Sequence, residues 1–307
     1  MMYTMMAIVL ILISMSVFFL SSKYVLRERS LALESRILST NDFINDLERD
    51  LERALYIASF RGLLGMTEYM AQNATYITNM THNFQDLVIN GTIYGNRMKT
   101  TNDSYVMLWL QKIDLKARGV GLAVDASDFN IGLRQENPWK ITVELNLTLE
   151  ITDLTGLASW QKADRIVTQI PVVGLEDPLY VIGSTGIISN RITRTPYTLF
   201  VNASNSNVSN LLGHVQSSYY INSSNAPDYL MRMQGQLGAS ANGIESLVDS
   251  SSLIVLGLYE NKSIVDYLYW SGSDPPHYGV QGMPNWFRLD NQSNRLGLYQ
   301  VDGLETN

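Results

Sequence analysis

The first 61 residues contain no glycine and no proline; the first glycine is Gly62 and the first proline is Pro138. These two residue types interrupt helices most strongly. Their absence over such a length predicts one continuous helix, about 90 Å long at about 1.5 Å per residue. Its two halves differ in chemistry. Residues 1–20 carry no charge and are apolar apart from Tyr3, Thr4, Ser14 and Ser16. A helix backbone can accept the hydroxyl hydrogen bonds of such residues locally. From Lys23 the chain is charged but keeps apolar residues at helical spacing.

Residues 1–20 have the length that crosses about 30 Å of hydrocarbon. They do not read as a cleaved secretory signal, which has a shorter apolar core, a basic residue ahead of it and a small-residue cleavage site. A signal anchor and a pilin-like helix remain. Lys23, Arg27 and Arg29 follow the apolar run and nothing basic precedes it, so charge placement alone would leave the rest of the chain in the cytoplasm. The glycosylation signals described below argue for the outside. A basic leader removed ahead of Met1 would reconcile the two.

In residues 23–61, Ser30, Ile37, Ile44, Leu51 and Ala58 recur every seven residues, and Leu26, Leu33, Thr40, Leu47 and Ala54 form a companion row. Asp42, Asp46, Glu48, Arg49, Asp50, Glu52 and Arg53 take the other side. Heptads of this kind form a seam against other helices, or one face packs on the chain's own head and another on a partner. Asp46–Arg49 and Asp50–Arg53 are i,i+3 ion pairs. Gly62 and Gly65 are expected to loosen or end the helix.

The remainder reads as a β-rich head. Ile141, Val143, Leu145, Leu147, Leu149 and Ile151 alternate with Lys140, Thr142, Glu144, Asn146, Thr148 and Glu150. That period of two predicts a long strand with one buried and one wet face. Residues 153–156 form a turn, and 165–173 return as the hairpin partner. Such an antiparallel meander needs a second layer on its dry face. Strands are also predicted at 105–115, 120–124, 178–182, 197–201 and 253–258. Short helices are predicted at 208–215 and at 227–233, the latter capped by Asn225; 263–270 is open to either. Residues 73–103 read as loop with short helix, and 272–284, with Pro275, Pro276 and Pro284, as loop. The fold class is therefore α+β: a long N-terminal hydrophobic and amphipathic helix (1–65; apolar 1–20, amphipathic 23–61), then an antiparallel, sandwich-like head (66–307). Any subdivision of the head falls near Leu175.

A net charge of -7 argues against nucleic acid as a partner, because phosphate binding needs a basic surface. The absence of cysteine excludes disulfides, thiolate metal sites and cysteine nucleophiles. The acceptor pattern Asn-x-Ser/Thr occurs at Asn73, Asn79, Asn90, Asn102, Asn146, Asn202, Asn207, Asn222, Asn261 and Asn291. All ten follow Gly65, which predicts an exposed, N-glycosylated head on a buried stem. No catalytic, cofactor or metal site is expected. His82, His214 and His277 lack paired spacing, and His277 near Asp274 and Tyr278 reads as a surface-loop histidine. Residues 125–128 and 290–294 are oxygen-rich but fit no twelve-residue calcium loop. The aromatic residues dense after Tyr219 read as core and subunit contacts rather than a glycan-binding patch.

The layout of residues 1–61, with an apolar half, an amphipathic half and a β-rich head beyond, resembles archaeal type IV pilins and related pilin-like surface proteins. The segment 39–54 also resembles that of large archaeal secreted proteins of the same layout. The head is larger than a usual pilin head. Positions 1–20 lack the glutamate that many bacterial pilins keep near their start, as archaeal ones generally do. The resemblance implies a non-enzymatic structural subunit of an extracellular pilus-like filament used for adhesion or surface attachment. It would sit in the membrane before assembly, meet pilus assembly machinery, and then form a helical homopolymer. Ile8, Leu12, Met15, Phe19, Leu26, Leu33, Ile37, Ile44, Leu47 and Leu51 are the expected polymer interface. The alternative is a monomeric, membrane-anchored surface glycoprotein, an adhesin or surface-layer component.

Overall fold

The computed structural model describes residues 2–156, 158–202 and 206–306, and within the first helix the side chains other than those of 2, 4, 7, 8, 22, 25, 26, 28–30, 32 and 33. In chain order the elements are α1 (Met2–Asn73), α2 (Met80–Asn90), β1 (Thr92–Ile93), β2 (Asn96–Arg97), α3 (Val106–Arg118), β3 (Leu122–Asn137), β4 (Lys140–Asp153), β5 (Ser159–Pro171), α4 (Pro178–Gly183), α5 (Ser209–Gln216), β6 (Tyr220–Asn222), α6 (Tyr229–Met233), β7 (Ile244–Ser246), α7 (Ser250–Leu256), α8 (Asp266–Tyr269), β8 (His277–Val280), β9 (Leu289–Asp290), the 3-10 turn η1 (Gln292–Asn294), α9 (Arg295–Leu298) and β10 (Glu305–Thr306). The chain divides into two compact units, Met1–Arg53 and Ala54–Asn307.

The first unit is helical. Its hydroxyls bond back to the helix as the sequence suggests: Ser14 donates to the Ile11 carbonyl and Ser16 to the Ile13 carbonyl, each at 3.0 Å. The two i,i+3 pairs form at longer range, Arg49 to Asp46 at 3.8 Å and Arg53 to Asp50 at 3.7 Å. Exposed pairs of this kind add little stability.

The fold expectation needs correction at both ends. Among the described residues no helix is long and apolar enough to cross a membrane. Among the described residues the head is not a sandwich either: its one extended sheet is the antiparallel meander β3-β4-β5, and the others are small sheets of short strands, β1-β2, β6-β7 and β10-β8-β9. Helices and loops, not a second sheet, fill most of the second half.

The best-read strand forms as its pattern demands. Ile141, Val143, Leu145, Leu147, Leu149 and Ile151 of β4 are all buried. Ile141 faces Ile170 of β5, and Leu145 faces Ile131 of β3. β3 is bulged between Ser127 and Asn130 and again between Arg134 and Asn137. It packs beside α3 and α2. β5 is one of the meander's two edge strands; it carries Lys162, Asp164 and Arg165 and ends on Pro171.

Gly62 and Gly65 neither end nor loosen α1, which runs through both. Their role is close approach. A Cβ on Gly62 would press on Val88 and Phe84 of α2, and one on Gly65 on Thr100, Thr101 and Leu87. Leu55, Leu63, Met66 and Met70 of α1 are buried, as are Phe84, Leu87 and Val88 of α2. A second core gathers Leu179, Leu211, Val215, Leu247, Ile264, Phe287, Tyr299 and Val301 from across the C-terminal half.

Four predicted strands are absent. Residues 105–115 lie in α3, whose buried Val106, Leu110 and Ala117 follow a helical spacing; their β-branched and aromatic composition obscured it. Residues 178–182 are α4, started by Asp177, whose side chain accepts from the Leu179 amide, with Pro178 at the first position. Residues 253–258 overlap α7, capped in the same way by Asp249 and stopped by Gly257 at φ 71°. Residues 197–201 take no regular structure. Conversely, the Pro-rich stretch 272–284 contains β8, and α6 is capped by Asp228 rather than Asn225.

Candidate functional site

The sites named from sequence fall into place as follows. Of the expected polymer contacts, Leu12, Met15, Phe19 and Ile37 are exposed, Ile44 is half-buried, and Leu47 and Leu51 are buried in the single chain. Ile8, Leu26 and Leu33 lie outside the described side chains. The exposure extends beyond that set: Val9, Leu10, Ile11, Ile13, Val17, Phe18 and Leu20 are each more than half exposed. The asparagines of the ten acceptor motifs all reach solvent. Nine are exposed and Asn146, on the wet face of β4, is half-exposed, its amide donating to Glu144 at 3.4 Å.

The histidines are dispersed. His82 lies 3.5 Å from Asp86, and His277 lies 3.2 Å from Asp274. His214 is buried, with Nδ1 3.1 Å from the Thr195 hydroxyl and, among the described residues, no partner at Nε2. Burial pushes its pKa down to about 4. Among the described residues, no group of His, Asp and Glu side chains has the geometry of a metal centre. Asp290, one of the oxygen-rich candidates, is buried and bonded to Arg295 and Ser263.

The strongest electrostatics are in two closed clusters that sequence reading missed. Arg232 of α6 donates to Asp177 at 2.6 Å and to Asp266 at 2.9 Å, and also bonds the Ile244 carbonyl. Tyr220 donates to the same Asp177 oxygen at 2.7 Å, and Ser246 to Asp266 at 2.9 Å. Burial raises the Asp177 pKa, with Arg232 pulling the other way. Burial likewise opposes the Arg232 charge, but Asp177 and Asp266 hold its pKa above the ordinary range. Nearby, Arg295 meets Asp290, lies 3.6 Å from Glu245, and donates to Tyr267 at 2.6 Å. Glu245 is pushed up chiefly by burial. Arg232, Asp177, Asp266, Glu245 and Asp290 have essentially no solvent exposure. Buried titratable groups of this kind mark active sites only where a cleft reaches them; with no access, these pin distant segments together.

Among the described residues, surface cavities lined by polar groups include the following two. The larger, about 430 Å³, lies between α3 and the β3-β4 hairpin, where Asp125 and Glu150 stand opposite each other in register beside Asp114 and Arg118. The Asp114 carboxylate is already taken by Arg118 at 2.8 Å and the Val124 amide at 3.0 Å. Those bonds, Arg118 first, hold its pKa below the usual range. The smaller, 250 Å³, is walled by aromatic side chains from α8 and the loop after α7. Neither cavity holds a nucleophile–base pair or an oxyanion cradle of the kind acyl or phosphoryl transfer needs.

No family model matches the chain, and no curated protein or solved structure matches it either.

Proposed function

We propose that the chain is a non-enzymatic structural subunit of an extracellular filament of pilin-like layout, associating with copies of itself through α1 and turning a glycan-bearing head outward. The observation that carries this reading is the run of uncovered large apolar side chains along residues 9–20 of α1, from Val9 to Leu20. A soluble monomer rarely leaves a continuous apolar patch of this extent in water. A second copy of the same helix is a self-matching cover, since non-closing contacts between identical subunits generate helical polymers. Ala7, Ser14 and Ser16 are small residue types of the sort that let helices approach closely. Acceptor asparagines that all reach solvent support an exterior address but would suit a non-polymeric surface glycoprotein equally; the uncovered helix favours the polymer.

The test is sedimentation and electron microscopy of shear-released surface material from cells carrying the wild-type chain or the double variant Leu12→Asp, Phe19→Asp. Filaments are expected from the wild type and none from the variant, with the head's thermal unfolding unchanged. Wild-type chains released only by detergent and sedimenting singly would overturn the polymer and leave the surface glycoprotein.

A further inference from the structure

The 250 Å³ cavity is lined by Tyr259, Glu260, Lys262, Tyr269, Trp270 and Ser271. Its aromatic wall is fixed from several sides. Gly183 has no side chain, and a Cβ there would collide with the Trp270 indole, so the glycine is what lets the ring seat against α4. Tyr180 meets the same indole edge-on at 5.5 Å, and Tyr269 at 5.0 Å. The Tyr269 hydroxyl ties down the loop after α7, accepting from the Glu260 amide at 2.9 Å and donating to the Leu258 carbonyl at 3.0 Å. Lys262 stands 5.0 Å over the Tyr269 ring and pairs with Glu260 at 2.5 Å. The Trp270 indole N–H is shielded from solvent, so the cavity's polar groups are those of Glu260, Lys262 and Ser271.

Rigid aromatic faces beside a carboxylate, an ammonium and a hydroxyl suit a ligand with an apolar ring face and a hydroxylated rim. Such amphipathic walls gain area burial and polar contacts together at little entropic cost. The cavity sits at the small end of ligand sites, which usually begin near about 300 Å³, so it takes one ring rather than a chain. Asn261, between the two charged lining residues, is exposed and heads an acceptor motif.

We propose that this cavity is a monosaccharide subsite, binding one pyranose ring against Tyr259 and Trp270 with its hydroxyls on Glu260, Lys262 and Ser271. The sugar has two sources: a glycan carried by Asn261 itself, which rests on modification of that residue, or a glycan from another molecule. Full-length chain in detergent is examined by ligand-observed saturation-transfer NMR with methyl glycosides of glucose, galactose, mannose and N-acetylglucosamine, as wild type and as Asn261→Gln. Peptide mass spectrometry fixes whether Asn261 is modified. Transfer from at least one sugar to N261Q is expected, with Tyr259→Ala in that background raising its Kd about tenfold. Tyr259 is partly exposed, so its loss leaves the fold intact by circular dichroism; Glu260→Gln provides a second, milder loss. Binding by N261Q but not by modified wild type assigns the site to its own glycan; equal binding by both assigns an external one. Failure of all four sugars to bind N261Q, or binding unaffected by Y259A, overturns the proposal whether or not the chain polymerises.

Discussion

Arg232 lies 2.6 Å from Asp177 with neither side chain reaching solvent, although 55 residues separate them in the chain. The pair joins the cap of α4 to α6. Removing one partner of a buried pair costs far more than the pair contributes, because the other charge stays buried. Arg232→Leu leaves Asp177 and Asp266 without their cation and is expected to lower stability by about 3–5 kcal/mol. Urea unfolding followed by circular dichroism measures this. A loss below about 1 kcal/mol would show that the carboxylates find water or each other's proton instead.

His214 supplies a pH dependence whose sign can be worked out. Its pKa is about 4 in the folded chain, lowered by burial among Phe200, Tyr219 and Tyr299. In the unfolded chain it is about 6.5. Between those values the unfolded chain binds the extra proton, so stability falls as pH drops from about 7 to about 4, by up to about 3 kcal/mol. Asp177, whose folded pKa is raised, acts in the opposite direction as acid is added. The comparison is therefore between wild type and His214→Leu: the variant should lose less stability between pH 7 and pH 4. Parallel pH profiles for the two proteins would refute the assignment.

Leucines of the two units should respond differently to the same change. Leu145 is fully buried in β4, whereas Leu12 is 61% exposed on α1. Leu145→Ala is expected to cost about 2–5 kcal/mol, and Leu12→Ala in dissociated chains less than about 0.5 kcal/mol. Thermal unfolding of both variants as monomers tests the contrast. An equal cost would mean that Leu12 is covered within one chain.

Glycopeptide mass spectrometry should find the nine exposed acceptor asparagines modified, and Asn146 at lower occupancy. Asn146 sits in the middle of β4, opposite Asn130 and Arg165 on its two neighbours, and is only half-exposed. A wholly unmodified head would remove the external address.

What the residues announced, and what they hid, follows from how local each signal is. The alternation from Ile141 to Ile151 is a property of one strand, and the structure places all six apolar residues inside. The helices α4 and α7 read as strands because their apolar runs outweigh the cap: Asp177 before Pro178, and Asp249 before Ser250, are helix-start signals within two residues. Gly62 and Gly65 read as breakers because only the third dimension shows α2 lying against them. The Arg232 and Arg295 clusters join residues 34 to 55 and 5 to 50 positions apart, and no spacing pattern foretells such meetings. The cavity at Trp270 has the same origin, since Gly183 that admits the ring lies 87 residues earlier.

The edge strand β5 bears on how neighbouring heads can meet. An open strand edge invites another chain to add itself by backbone hydrogen bonding, and charges or proline on that edge discourage it. Lys162, Asp164 and Arg165, with Pro171 at the terminus, make β5 a poor template, and the twin bulges of β3 do the same on the other side. Heads that came close together would thereby be discouraged from extending this meander into a shared ribbon.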